Sequence, residues 1–156
     1  WHMYEVLMYL FQHYRTPQLF PEADDLQAKL TTLGFDEDSV EQAINWLIGL
    51  ACATQNIRLL SHASPGTVRI YAPQELEQLG VQAIEFITFL ENAGALYAPH
   101  RELIIERALA IKESPISLSK LRIICLIVLW SQEVEFDALI FDELLSYEQN
   151  KKRLPN

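Results

Sequence analysis

The first fifty residues carry three successive stripes of apolar residues at the three- and four-residue spacing of amphipathic helices. Pro17 ends the first stripe, because proline disfavours a continuing helix, and Gly34 ends the second. Asp36 or Asp38 is placed to cap the third. The apolar positions are Met3, Val6, Leu7, Leu10, Phe11 and Tyr14; Leu26, Leu30 and Leu33; and Val40, Ala43, Ile44, Leu47, Ile48 and Ala51. The pattern predicts three helices.

The spacing of apolar residues changes after the third stripe. Residues 57–61 and 67–71 are short runs that contain β-branched or aromatic side chains, and Pro65 and Gly66 lie between them. Because proline and glycine favour turns, the pattern predicts a β-hairpin. Three helices followed by a two-stranded hairpin are the element order of a winged-helix domain.

The remainder of the chain shows only helical periodicity. One helix is predicted to begin at Pro73 and to end at Gly80, and Ser117 is placed to cap a later one. Residues 123–130 are apolar on every side, so we expect their helix to be the central one. The four apolar segments after Gly80 are 81–90, 103–111, 118–129 and 139–145.

The expected fold is therefore mainly α, with two units packed against each other. A winged-helix-like domain, made of three helices plus the β-hairpin, is expected over residues 3–72. A helical bundle is expected over residues 73–148. The polar segment 149–156 is expected to be a flexible tail.

Composition limits the classes of function. The chain has 156 residues, 50% of them hydrophobic, and a formal net charge of -9. This length can bury a hydrophobic core without disulfides or metals, and the negative charge disfavours general binding to phosphate backbones. The apolar run Leu121–Trp130 spans only about ten residues, where a membrane crossing needs roughly 20. We expect no association with membranes.

The two cysteines, Cys52 and Cys125, lie in separate apolar stretches. The sequence has no Cys-x-x-Cys motif and no cluster of cysteine and histidine. Unpaired thiols are typical of a reducing compartment, so we expect buried, inert thiols in a cytoplasmic protein.

Several segments together resemble the bacterial Smg family. They are 6–11 (VLMYLF), 69–75 (RIYAPQE), 102–110 (ELIIERALA), 118–130 and 142–145 (DELL). The resemblance covers nearly the whole chain and implies a small cytoplasmic protein of uncharacterised function. It also implies gene neighbours that encode a DNA-processing protein and a topoisomerase, and it supplies no catalytic residues.

No motif for an enzymatic reaction is present. The sequence has no nucleophile elbow, no Walker-type phosphate loop and no dinucleotide fingerprint. His100, Glu102 and Glu106 could share one helix face, but the Glu-x-x-His steps of a di-iron site are absent, and we interpret them as a solvated face beside Arg101 and Arg107. We expect no catalytic residue, cofactor or metal, and thus no enzyme.

The third helix would be the recognition helix of a DNA-binding winged helix. Its segment 38–51 contains no lysine or arginine and begins with acidic residues, so insertion into a major groove is disfavoured. An alternative is a nucleic-acid-binding regulator that uses the basic residues of the hairpin and the tail. These are Arg58, Arg69, Lys151, Lys152 and Arg153.

Protein binding fits the third helix better. Trp46 lies off the main apolar stripe, and with Gln42 and Asn45 it forms a candidate protein interface. The other interpretation of Trp46 is packing within the chain. We expect a non-enzymatic cytoplasmic interaction module or adaptor with a protein partner, linked to DNA-processing or transcription machinery.

Overall fold

The computed structural model describes residues 2–60 and 69–134. Within these ranges the chain forms six α-helices and one short 3-10 helix, and no β-strand. The helices are α1 (His2–His13), α2 (Ala23–Thr32), α3 (Glu37–Leu60), α4 (Pro73–Asn92), α5 (Ala98–Leu109) and α6 (Leu118–Ser131), and the 3-10 helix is Pro17–Leu19.

Local signals in the sequence set several of these boundaries. The Ser117 hydroxyl accepts a hydrogen bond from the Lys120 amide at 3.4 Å and caps α6. Gly34 ends α2 with a φ of 104°, a conformation that glycine adopts without steric strain. Gly80, where the sequence predicts a helix end, has a φ of 80° and kinks α4. The helix then resumes and runs to Asn92.

The predicted β-hairpin is wrong, and with it the winged-helix-like assignment. Residues 57–60 continue α3, residues 69–72 form no strand, and residues 61–68 lie outside the described residues. The helix continues because a second apolar stripe, at steps of three and four residues, carries it past residue 56. The members of this stripe, buried or half-buried, are Trp46, Leu50, Ala53 and Ile57. Tertiary burial of a helical face outweighs the β-propensity of a few side chains.

The described helices share one hydrophobic core, so a helical bundle is the architecture that the structure supports. Helices α1 and α5 lie between α3 on one side and α6 on the other, α2 packs on α3, and α4 packs on α5 and α6. Every residue from 123 to 130 is buried, which confirms the all-round apolar pattern of α6. The predicted helix at 139–145 and the tail at 149–156 fall outside the described ranges.

The loop between α1 and α2 is tied to the end of α6. The Trp130 indole Nε1 donates a hydrogen bond to the Arg15 carbonyl at 2.8 Å. The Phe20 ring lies with its centroid 5.8 Å from that of Trp130 and 5.1 Å from that of Tyr14. In the parts of the chain that the structure describes, no helix has the length and apolar character needed to cross a bilayer.

Candidate interaction surfaces on the third helix

Trp46 joins α3 to α5 inside the protein. Its indole Nε1 donates to the Arg107 carbonyl at 3.3 Å, while Arg107 Nη1 donates to the Trp46 carbonyl at 2.9 Å. The guanidinium carbon lies 5.5 Å from the indole centroid, and the residue is only 5% exposed. Trp46 therefore packs within the chain, and the hypothesis that it is an exposed interface anchor is wrong. Trp46 is buried because it belongs to the second apolar stripe of α3.

Arg107 is a buried charge whose donors are satisfied locally. Its Nε and Nη2 atoms bond the Glu106 carboxylate at 2.6 and 2.8 Å, and the residue is 7% exposed. Gly49 makes room for it, because a Cβ atom at that position would lie 2.8 Å from the guanidinium carbon. The prediction of a solvated face therefore holds for Glu106, whose carboxylate is partly exposed. The neighbouring Arg107, in contrast, is buried in the core.

Gln42 and Asn45 are exposed and, with the edge of Trp46, line one side of a cavity of about 620 Å³. This cavity lies between α1, α3 and the α5–α6 connection, and its wall includes the ion pair of Lys120 with Glu113 at 2.6 Å. Its lining mixes charged and apolar groups. The three residues predicted as an interface do come together, and they line a cavity that has both polar and apolar walls. The remaining lining residues are Met3, Tyr4, Arg107, Ala110, Ile111 and Lys112.

Arg69 is held by two carboxylates. Its Nη1 and Nη2 atoms bond Glu75 at 2.6 and 2.8 Å, and its Nε bonds Glu102 at 3.1 Å. These hydrogen bonds keep the pKa of Glu75 below its ordinary value. Glu102 also accepts from Arg101, whose Nη1 bonds Glu91 at 3.0 Å. The network joins residue 69 to α4 and α5, and it occupies the guanidinium that the nucleic-acid alternative would need.

The other basic residues of that alternative are not described. The side chain of Arg58 and the whole of Lys151, Lys152 and Arg153 lie outside what the structure describes. Their role therefore stays a prediction.

His100, Glu102 and Glu106 do not converge on a common point. Glu102 bonds Arg69 and Arg101, and Glu106 bonds Arg107. Burial lowers the pKa of His100, whose Nδ1 has no hydrogen-bond partner. Among residues 2–60 and 69–134, no three His, Cys, Asp or Glu side chains are grouped as ligands for a metal ion.

The two thiols differ in their surroundings. Cys125 is buried as predicted, and burial raises its pKa, which keeps the thiol protonated. Cys52 is exposed on α3, so the prediction that both thiols are buried is wrong for this residue. Position 52 lies between the two apolar stripes of the helix.

A groove of about 410 Å³, lined by apolar and polar residues, lies on the opposite side of α3 from Trp46, between α3, α2 and the loop before α2. Its floor is the C-terminal part of the first apolar stripe of α3, from Ile44 to Ala51, extended by Thr54 and Gln55 toward the end of α6. Ile48 is the most exposed large apolar side chain of this floor, at 52%. The lining residues are Pro17, Gln18, Phe20, Pro21, Ala23, Leu26, Ile44, Leu47, Ile48, Leu50, Ala51, Thr54, Gln55, Ser131 and Gln132. We call this the α2–α3 groove.

The walls of the α2–α3 groove are fixed by contacts within the chain. Phe20 is held between the rings of Tyr14 and Trp130, and Gln132 Nε2 donates to Thr54 Oγ1 at 3.1 Å. The groove thus needs little ordering before it accepts a ligand. Sequence reasoning assigned its floor to the core, because periodicity shows that a stripe is apolar but not whether another element covers it.

Carboxylates dominate the chain around the α2–α3 groove. Residues 16–57 contain seven acidic side chains and one basic side chain, Lys29. Lys29 donates to the Tyr14 hydroxyl at 3.1 Å. No described basic residue forms an ion pair with any of the seven, and all of them are exposed. They are Glu22, Asp24, Asp25, Asp36, Glu37, Asp38 and Glu41.

Comparison with known proteins agrees with the resemblance seen in the sequence. The model of the family described as "Protein of unknown function (DUF494)" matches residues 3–154. The chain is similar to the Protein Smg homolog of Bordetella pertussis, with 50% identity over 150 residues that cover 96% of this chain and 99% of that protein. It is also similar to the Protein Smg homologs of Methylibium petroleiphilum (42% identity, 96% and 98% coverage) and Herminiimonas arsenicoxydans (46% identity, 91% and 92% coverage). No solved structure matches the chain. The chain belongs to the DUF494 family, whose relatives compared here carry the name Smg.

Proposed function

We propose that the protein is a non-enzymatic adaptor that binds a helical segment of a partner protein in the α2–α3 groove. The observation that carries the proposal is the exposed floor of that groove. Ile44, Leu47, Ile48 and Ala51 repeat at steps of three and four residues, the spacing by which one helix packs on another. Ile44 is buried at the base of this face and Leu47 is half-buried, whereas Ile48 and Ala51 are exposed, so the described helices cover the face only in part.

Burial of this face supplies free energy for binding. Covering the exposed half of Ile48 alone would contribute about 1 kcal/mol, and Leu47 and Phe20 would add to it. The walls are already ordered, so the entropy lost by the protein on binding is small.

The proposed compartment is the cytoplasm, with partners in DNA-processing or transcription machinery. Cys52 and Cys125 are free thiols, which are typical of a reducing compartment. The proposed link to DNA processing comes from the family resemblance alone.

Substitution of Ile48 tests the proposal. The protein is immobilised as wild type, Ile48→Ser and Val81→Ser, and each is exposed to nuclease-treated bacterial lysate. Val81, on α4, is 71% exposed and lies outside the groove, so it is a matched control. We expect one protein to be captured by the wild type and by Val81→Ser, and to be lost with Ile48→Ser. Capture that is equal in all three, or no capture by the wild type, would contradict the proposal.

The nucleic-acid alternative has less support. The Arg69 guanidinium bonds Glu75 and Glu102, so a phosphate would have to compete with two carboxylates already in place. Binding to a nucleic acid would weaken steeply as salt rises, whereas binding through Ile48 would change much less.

A further inference from the structure

The occupant of the α2–α3 groove can be described by its chemistry, an inference that rests on the proposed function. We propose that the partner segment is an amphipathic helix whose apolar stripe is flanked by lysine or arginine. The apolar part of this proposal follows from the groove floor, and the basic part follows from the charge around it.

The floor sets the length of the segment. Seven residues of α3 line the groove between Ile44 and Gln55. At 1.5 Å per residue they extend over roughly 16 Å, or three turns, so a partner helix of about 11 residues would cover them. Recognition of an amphipathic helix in a groove of this kind uses apolar side chains one turn apart.

The charge around the groove sets the flanks of the segment. On α3, Glu41 precedes Ile44 by three residues and Ile48 by seven, so helical geometry places its carboxylate on the groove side. On α2, Glu22 precedes the lining residue Leu26 by four residues and lies next to the lining residue Pro21. Because neither carboxylate has a basic partner among the described residues, both are available to a cationic ligand.

The same charge argues against a second copy of the chain as the occupant. A second copy that presented the same face would bring Glu22 and Glu41 of the two copies close together, and like charges in contact disfavour such a dimer.

A selection from a peptide library tests the inference. The library displays 14-residue helical peptides with leucine at fixed three- and four-residue spacing, and with flanking positions varied among lysine, glutamine and glutamate. The targets are the immobilised full-length protein and its Ile48→Ser variant. We expect enrichment of lysine at the flanks on the wild type and none on Ile48→Ser.

The enriched peptide is then measured against Glu22→Gln/Glu41→Gln, with Glu85→Gln on α4 as the matched control. Glu85 is exposed and does not line the groove. Removal of two exposed charge pairs should weaken binding by about threefold to tenfold, and the control should bind as the wild type does. Circular dichroism melting confirms that each variant is folded.

The outcomes separate the two proposals. If glutamine or glutamate is enriched at the flanks, and this enrichment is lost with Ile48→Ser, the proposal of a basic partner helix is wrong. The proposal that the groove binds a helix would still hold. The absence of any enrichment over Ile48→Ser would overturn both. Sedimentation that shows a dimer broken by Ile48→Ser would make a second copy the occupant, and would overturn the basic helix as well.

Discussion

Trp46 and Arg107 hold each other across the interface of α3 and α5: each side chain donates a hydrogen bond to the other residue's backbone carbonyl, at 3.3 and 2.9 Å. The pair fixes the rotation of α3 about its own axis. That rotation turns the second apolar stripe into the core and leaves Ile48 facing the α2–α3 groove. The candidate binding surface is thus a consequence of where Trp46 is buried.

Replacement of Trp46 tests this relationship. Trp46→Ala should lower the free energy of unfolding by about 3–5 kcal/mol, because it removes a buried indole and leaves a cavity between two helices. Urea denaturation followed by circular dichroism measures the change. Val81→Ala, at an exposed position, should change it by less than about 0.5 kcal/mol. A loss below about 1 kcal/mol for Trp46→Ala would show that the indole is not a core group.

Gly49 offers a second test. Alanine normally stabilises a helix interior by about 1 kcal/mol relative to glycine. At position 49 we expect the opposite sign, because the added Cβ would lie 2.8 Å from the Arg107 guanidinium carbon. In an Arg107→Ala background the same Gly49→Ala change should become stabilising. Equal effects in both backgrounds, measured by urea unfolding, would show that the two residues are not in contact.

The ion network of Arg69 predicts a dependence of stability on pH. The pKa of Glu75 is lowered in the folded state by its hydrogen bonds with Arg69. A carboxylate with a lowered pKa stabilises the fold above its ordinary value of 4.5, and this contribution is lost as the pH falls through the folded pKa. Arg69→Gln should therefore destabilise the protein by about 1–3 kcal/mol at pH 7 and by much less near pH 3.

Urea unfolding at a series of pH values measures this effect. The control is Lys112→Gln, which removes an exposed basic group that has no ion pair among the described residues. It should alter stability little at either pH. If the loss caused by Arg69→Gln stayed constant from pH 7 to pH 3, the carboxylates would not be the partners of the guanidinium.

The centre of the bundle is tested at Leu126. This residue is 1% exposed in the most apolar helix, so Leu126→Asp places an unpaired charge in the core. We expect a loss of more than about 4 kcal/mol and an unfolded protein at 25 °C, seen as loss of the cooperative thermal transition. Val81→Asp should melt normally. Near-normal melting of Leu126→Asp would contradict the burial of residues 123–130 in α6.

Local patterns predicted much of the fold. The stripes of α1 and α2, the serine cap of α6 and its all-round apolar character are each contained within a few neighbouring residues, and the structure has them as expected. The β-hairpin failed because the continuation of α3 depends on burial of Ala53 and Ile57 against distant helices. The helix and strand propensities of neighbouring residues carry no information about such contacts.

The candidate site was less predictable for a related reason. Helix α3 has apolar residues on two faces, and the sequence does not say which of them the other helices cover. Trp46 is buried against Arg107, which is 61 residues away in the sequence. The charge of Arg69 is neutralised by Glu102, which is 33 residues away. The absence of a side chain at Gly49 was the available signal for a close approach to α3, since a glycine inside a helix often marks one.

The central claim, that the α2–α3 groove is the binding surface, is most directly tested by photo-crosslinking in living bacteria. The photoreactive amino acid p-benzoylphenylalanine replaces Ile48 in one strain and Val81 in another, and crosslinked products are identified by mass spectrometry. We expect a discrete protein adduct from position 48 and none from position 81. No adduct from position 48, or the same adducts from both positions, would contradict it.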